Sequence, residues 1–121
     1  MRSNVAGYRR LVLAVQWLAA EPDRTLGAVA VEEMVPDELG NDLDTWFEVS
    51  KRSAELSEVV ASEIWQILEI MDRWSGSDHA DFWTPDAVRS SPVWAEMRDR
   101  ARTVLGMLGE PRIDEDLAGR V

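Results

Sequence analysis

The sequence predicts an all-α protein: four principal helices plus one or two short helices in a compact bundle. Three observations carry that expectation. Apolar residues recur at spacings of three and four in four segments, as amphipathic helices require. Prolines stand beside hydroxyl or acidic residues where those segments start, and glycines or further prolines follow where they end. No stretch longer than a few residues alternates with the period of two that a strand needs, and no internal repeat is visible.

The first helix is expected from about Ser3 or Asn4, both able to cap, to Ala20, with Glu21 and Pro22 ending it. Tyr8, Leu11, Val12, Val15, Leu18 and Ala19 form its inward stripe. Arginines followed by apolar residues also resemble a secretion signal. Gln16 interrupts that run and no clear cleavage site precedes Glu21, so a core helix is the expectation. Residues 23–35 read as a short helix or irregular linker, because Gly27 and β-branched valines weaken the face formed by Leu26, Val29, Ala30 and Met34.

Pro36 opens the second long helix, with Asp37 and Glu38 in the first turn, where the helix dipole favours acids. Leu39, Leu43, Trp46 and Phe47 are its stripe. The register shifts near Ser50, and Ser53 is the expected cap of the third. There Leu56, Val59, Val60, Ile64, Ile67, Leu68, Met71 and Trp74 face inward, while Glu55, Glu58, Glu63, Glu69 and Asp72 face solvent. Gly76 is placed for a left-handed cap after it. Thr84-Pro85-Asp86 then starts a short helix, and Ser91-Pro92 starts the last long one, running to Leu108 before Gly109 and Pro111. Trp94, Met97, Ala101, Val104, Leu105 and Leu108 point inward. One domain over 1–110 is expected, followed by an acidic, frayed tail over 111–121.

Composition narrows the chemistry. There is no cysteine, which excludes disulfides and thiolate sites and suits a reducing, cytoplasmic setting. The single histidine, His79, lies between Asp78 and Asp81 in a polar loop and reads as an exposed residue rather than a ligand or base. No phosphate-binding loop, dinucleotide fingerprint, nucleophile elbow or calcium loop is present, so neither cofactor nor metal is expected, and no catalytic residue is nominated. The net charge of −10 is uneven: residues 1–20 carry +3, and residues 21–73 carry −10. Such a field repels nucleic acid and anionic membranes and attracts basic proteins.

Six tryptophans punctuate this background. Trp46, Trp74 and Trp94 fall on apolar stripes. Trp17 and Trp65 lie beside them, and Trp83 precedes the Thr84 cap, where it is able to staple the chain to the next helix. If Trp83 is buried against neighbouring helices it is architecture; if exposed beside acids it is an anchor for a partner.

Two resemblances bear on function. "EEMVPDE" (Glu32 to Glu38) followed by "ELSEVVASEIWQILEIMDRW" (Glu55 to Trp74) resembles the all-α nucleotide pyrophosphatases of MazG type. That likeness implies a magnesium site built from Glu33, Asp37, Glu38, Glu55 and Glu58. The chain departs from the signature in its E-x-x-x-D-E spacing, in Pro36, and in Glu58 at a usual aspartate position. "GYRRLVLAVQWLA" (Gly7 to Ala19) and "FWTPDAVRSSPVWAEMRDRARTVLGMLG" (Phe82 to Gly109) resemble small acidic helical proteins of high-GC actinobacteria. These are uncharacterised or of immunity-protein type, and twelve arginines against one lysine suit that source. This second resemblance implies a helical fold and, for the immunity type, a protein that neutralises a toxin.

The leading expectation is a non-catalytic, acidic interaction module of immunity or antitoxin type. It would bind a basic protein, such as a toxin or nuclease, and neither nucleic acid nor membrane. The expected surface comprises Asp37, Glu38, Asp42, Asp44, Trp46, Glu48, Glu55, Glu58, Trp65 and Trp83. A pyrophosphatase and a scaffold domain are the alternatives. A stripe containing Trp17 or Trp65 serves a homodimer as readily as a foreign partner, so oligomeric state stays open.

Overall fold

Helical periodicity turns into packing over residues 5–27, 34–52 and 56–112, the residues described by a computed structural model. Four long helices, α1 (Val5–Ala19), α3 (Val35–Arg52), α4 (Glu58–Arg73) and α6 (Pro92–Leu108), form the expected all-α bundle. Between them lie two short helices, α2 (Pro22–Leu26) and α5 (Pro85–Ser90), and a 3-10 segment over Ser77–Trp83. That segment adds one short element to the count the sequence predicts. Among the described residues there is no strand, and no helix long and apolar enough to cross a membrane.

Contacts fix the helix directions. A Cβ built on Gly7 falls against Val49, and Arg10 lies over Trp46, so α1 and α3 run antiparallel. Gly40 lies against Met71 and Lys51 against Trp65, so α3 and α4 do too. Gln66 bonds Arg100, while Trp74 and Trp94 both stack on Phe82, and α4 therefore opposes α6. Arg102 reaches the end of α1, closing the ring of four. The order is up, down, up, down, with apolar stripes meeting at the centre. Leu11, Val15, Leu43, Ile64, Ile67, Met97, Ala101 and Val104 are wholly buried there.

The helix starts are mostly local chemistry. Thr84 Oγ1 accepts from Ala87 N at 3.2 Å, with Pro85 in the first helical position. Ser91 both closes α5 and opens α6: its N–H donates to Ala87 O at 2.7 Å and its Oγ accepts from Val93 N at 3.1 Å. Substitution Ser91→Ala is expected to cost about 1 kcal/mol, the usual loss of a cap. Urea unfolding measures it, and an unchanged midpoint would contradict the assignment. At the other end Gly109 adopts φ 69° and ψ 28°, and Glu110 N donates to Leu105 O, a left-handed cap that glycine enters without strain.

Several expectations are corrected. The cap of α4 is Ser57, whose Oγ accepts from Val60 N at 3.2 Å; Ser53, the expected cap, lies outside the described residues. Val59, in the first turn of α4, is exposed rather than inward, and Ile70 takes an inward place instead. Trp74 caps the end of α4, and Gly76 (φ 105°, ψ 162°) makes an extended, glycine-favouring corner rather than a left-handed helical cap. His79 is half-buried, meeting Trp74 edge-on at 5.1 Å, and is not a free loop residue. Ser3, Asn4, Val29, Ala30 and residues 113–121 fall outside the description. Pro111 is held by Gln16, whose Nε2 donates to its carbonyl at 2.8 Å.

Polar tethers tie the short elements to the bundle. Thr25, buried, donates through Oγ1 to Trp17 O at 2.8 Å, and Arg89 pairs with Asp23 at 2.9 Å, joining α5 to α2. Arg102 donates to Ala19 O and pairs with Glu21 at 2.7 Å, offsetting the negative end of α1. Burial lowers the Arg98 guanidinium below its ordinary value, opposed by Glu21, and its Nη2 donates to Val88 O.

Candidate functional site

Where α3 and α4 pass each other they leave an open groove of about 790 Å³. Its construction follows from helical geometry. On α3, Asp37, Gly40, Asn41 and Asp44 share one flank of the buried stripe, and Asp37 and Asp44 stand two turns apart. On α4, Trp65, Glu69 and Asp72 repeat at four and three residues and form the opposite wall. Antiparallel pairing sets Asp44 near the Trp65 end and Asp37 near the Asp72 end. Four carboxylates line the groove and, among its described lining residues, no lysine or arginine does.

The floor is apolar. Gly40 has no side chain, so the benzo edge of Trp83 and the Met71 sulfur come up against α3: a Cβ there would sit 3.4 Å from the Trp83 ring and 3.6 Å from sulfur. Trp83 is half-buried and fixed on three sides. Its Nε1 donates to Trp74 O at 2.8 Å, and its ring meets Phe82 and Trp94 edge-on at 5.3 and 5.6 Å. It is thus primarily architecture, with one edge left to the groove. Trp65 differs: half of its surface is exposed, the largest exposed aromatic area among the described residues, and it forms one end of the groove.

The ten residues expected at the interaction surface are therefore divided. The structure brings together Asp37, Asp44, Trp65 and Trp83. Glu38 and Asp42 stand on the opposite flank of α3, beside a smaller concavity of about 190 Å³ with Trp17 and Leu39. Trp46 turns toward α1, half-buried under the Arg10 guanidinium at 5.1 Å. Glu48 is paired with Lys51 at 3.0 Å, Glu58 is exposed in the first turn of α4, and Glu55 lies outside the described residues. Sequence reasoning missed Glu69 and Asp72 as site residues, although their spacing from Trp65 placed all three on one helix face.

The carboxylates do not converge as metal ligands do: among the described residues no group of three acidic or histidine side chains is arranged to hold an ion. Of the acids that the pyrophosphatase resemblance implies, Glu33 and Glu55 lie outside the described residues, Asp37 and Glu38 stand on different flanks of α3, and Glu58 opens α4. What the groove offers is electrostatic and shape recognition: acids on both walls, an apolar floor, and an exposed indole at one end. No protein family, no curated protein and no solved structure matches the chain.

Proposed function

We propose that this protein is a non-catalytic, acidic interaction module that binds a basic protein through the α3/α4 groove, acting as an inhibitor of immunity or antitoxin type. The observation that carries the reading is the groove itself: four carboxylates, with no lysine or arginine among its described lining residues, over an aromatic floor, ending on an exposed tryptophan. Acids arranged in this way speed encounter with a positive surface and disfavour neutral or acidic ones. Apolar contact at the floor and at Trp65 then supplies desolvated area that surface charge alone does not. A basic toxin or nuclease whose substrate cleft carries lysines and arginines has the complementary chemistry, and blocking such a cleft is sufficient for inhibition.

A charge-matched pair of variants tests this. D44N/D72N removes two groove acids, and E38Q/D42N removes two acids from the other flank of α3. Capture from native cells followed by titration of the retained protein should give a basic partner. Its affinity is expected to fall about fivefold to tenfold with D44N/D72N, since exposed charge pairs contribute roughly 0.2–1 kcal/mol each. E38Q/D42N should leave it nearly unchanged, and added salt should narrow the difference. Equal losses in both variants, or the absence of any basic partner, would sink the reading.

A further inference from the structure

Trp65 already carries a cation. The chain's only lysine, Lys51, in the last turn of α3, places its Nζ 6.0 Å from the centroid of the Trp65 ring, at the outer limit of a cation–π contact. The same ammonium lies 5.4 Å from the Phe47 ring and is held at 3.0 Å by Glu48. This contact is loose: Lys51 and Trp65 are exposed and Glu48 is only half-buried, so the lysine leaves the ring at small cost. Trp65 also forms the end of the groove, with Glu69 one turn further along α4 and Asp44 facing from α3. An indole at the end of a groove whose next lining acids are Asp44 and Glu69 is suited to a planar cation. A guanidinium stacks on the ring while its N–H groups, fixed in a fork, point toward those acids; an ammonium offers neither the plane nor the fork.

We propose that the Trp65 end of the groove is an arginine-recognition subsite, in which an arginine of the basic partner stacks on Trp65 with its fork toward Asp44 and Glu69, and that Lys51 is its internal placeholder in the free protein. This rests on the groove being the docking site and deepens it by naming the side chain that is read. The partner segment inserts arginine here and lays its remaining positive charge toward Asp37 and Asp72, two helical turns along. Lys51 then keeps its pair with Glu48 and gives up the ring.

Hexa-arginine and hexa-lysine peptides, equal in charge, separate the subsite from the groove. Titrated into the full chain and followed by calorimetry, hexa-arginine is expected to bind about threefold to fivefold tighter than hexa-lysine, because a guanidinium adds planar stacking and a forked donor set to the cation–π attraction that both cations share. W65L should bring the two peptides to equal affinity, while D37N/D72N weakens both by the same factor. K51M should tighten hexa-arginine about twofold more in the wild-type background than in W65L, a coupling that long-range charge alone does not produce. If both peptides bind the wild type equally, or W65L weakens both in proportion, the arginine subsite is wrong and the acidic groove stands. If neither peptide binds, the groove reading fails and the subsite with it.

Discussion

Replacement of Trp94 by alanine is expected to cost about 3–5 kcal/mol, the range for removing a large aromatic side chain from a packed core. Trp94 is 1% exposed and is the largest of the fully buried side chains among the described residues. It stacks on Phe82 at 5.0 Å with ring planes 17° apart, meets Trp83 edge-on, and donates through Nε1 to Phe82 O at 2.7 Å. The alanine variant loses the ring contacts and that hydrogen bond together, and it opens a cavity beneath the whole aromatic corner. Trp94→Phe separates these effects. A phenyl ring keeps part of the stack but leaves the Phe82 carbonyl without its indole donor, a loss of about 1–3 kcal/mol. Because Trp83 rests on Trp94, both changes also loosen the groove floor. Urea unfolding gives the free energies; a loss below about 1 kcal/mol for the alanine variant would contradict a core role.

Gly7→Ala is expected to destabilise although alanine is the better helix former. A Cβ at Gly7 would lie 2.8 Å from Val49 Cγ1, inside van der Waals contact, at the close approach of α1 and α3. Valine in a helix is largely confined to one χ1 rotamer, so Val49 does not swing away cheaply and the two helices must separate instead. Overpacking of this kind costs about 1–3 kcal/mol, against a gain of at most about 1 kcal/mol in helix propensity. The sign should reverse in a Val49→Ala background, where the clash is gone and only the propensity gain remains. Thermal unfolding of the four variants in the cycle checks this. Destabilisation of equal size in both backgrounds would mean that Val49 is not what Gly7 accommodates.

The fold was legible wherever the deciding chemistry is local. Thr84-Pro85 and Ser91-Pro92 named their helix starts because cap and proline act within one turn, and Gly109 named a helix end for the same reason. Ser53 and Ser57 illustrate the opposite case. Both are hydroxyls a few residues ahead of an apolar run, and the helix opens after Ser57, with Leu56 half-buried and Val60 buried on either side of it. Val59 is exposed and Ile70 buried because a stripe read along one helix does not say which of its residues the neighbouring helices cover.

The site was legible only in part, for a geometric reason. On α3 the buried stripe through Leu39 and Leu43 divides the acids: Glu38 and Asp42 fall to one side, Asp37 and Asp44 to the other. Sequence proximity merges the two sets, and only the position of α4 separates them. Glu69 and Asp72 read as ordinary solvent-facing acids until α3 brings a second acidic wall opposite them. Trp46 was expected to be an anchor, but its place three residues after Leu43 turns it toward α1 and Arg10. Trp65, which lies beside the stripe of α4, stays exposed.

The six tryptophans provide the most direct test of where a partner docks. Each indole N–H gives its own signal in a ¹⁵N-correlated proton spectrum; Trp17, Trp46 and Trp65 stand at separate places on the bundle, while Trp74, Trp83 and Trp94 cluster around Phe82. On titration with the captured basic partner, the Trp65 indole should move most and Trp83 should follow, while Trp17 and Trp46 keep their positions. Shifts concentrated at Trp17 or Trp46, with Trp65 unmoved, would place the interface on the other flank of α3 and contradict the groove.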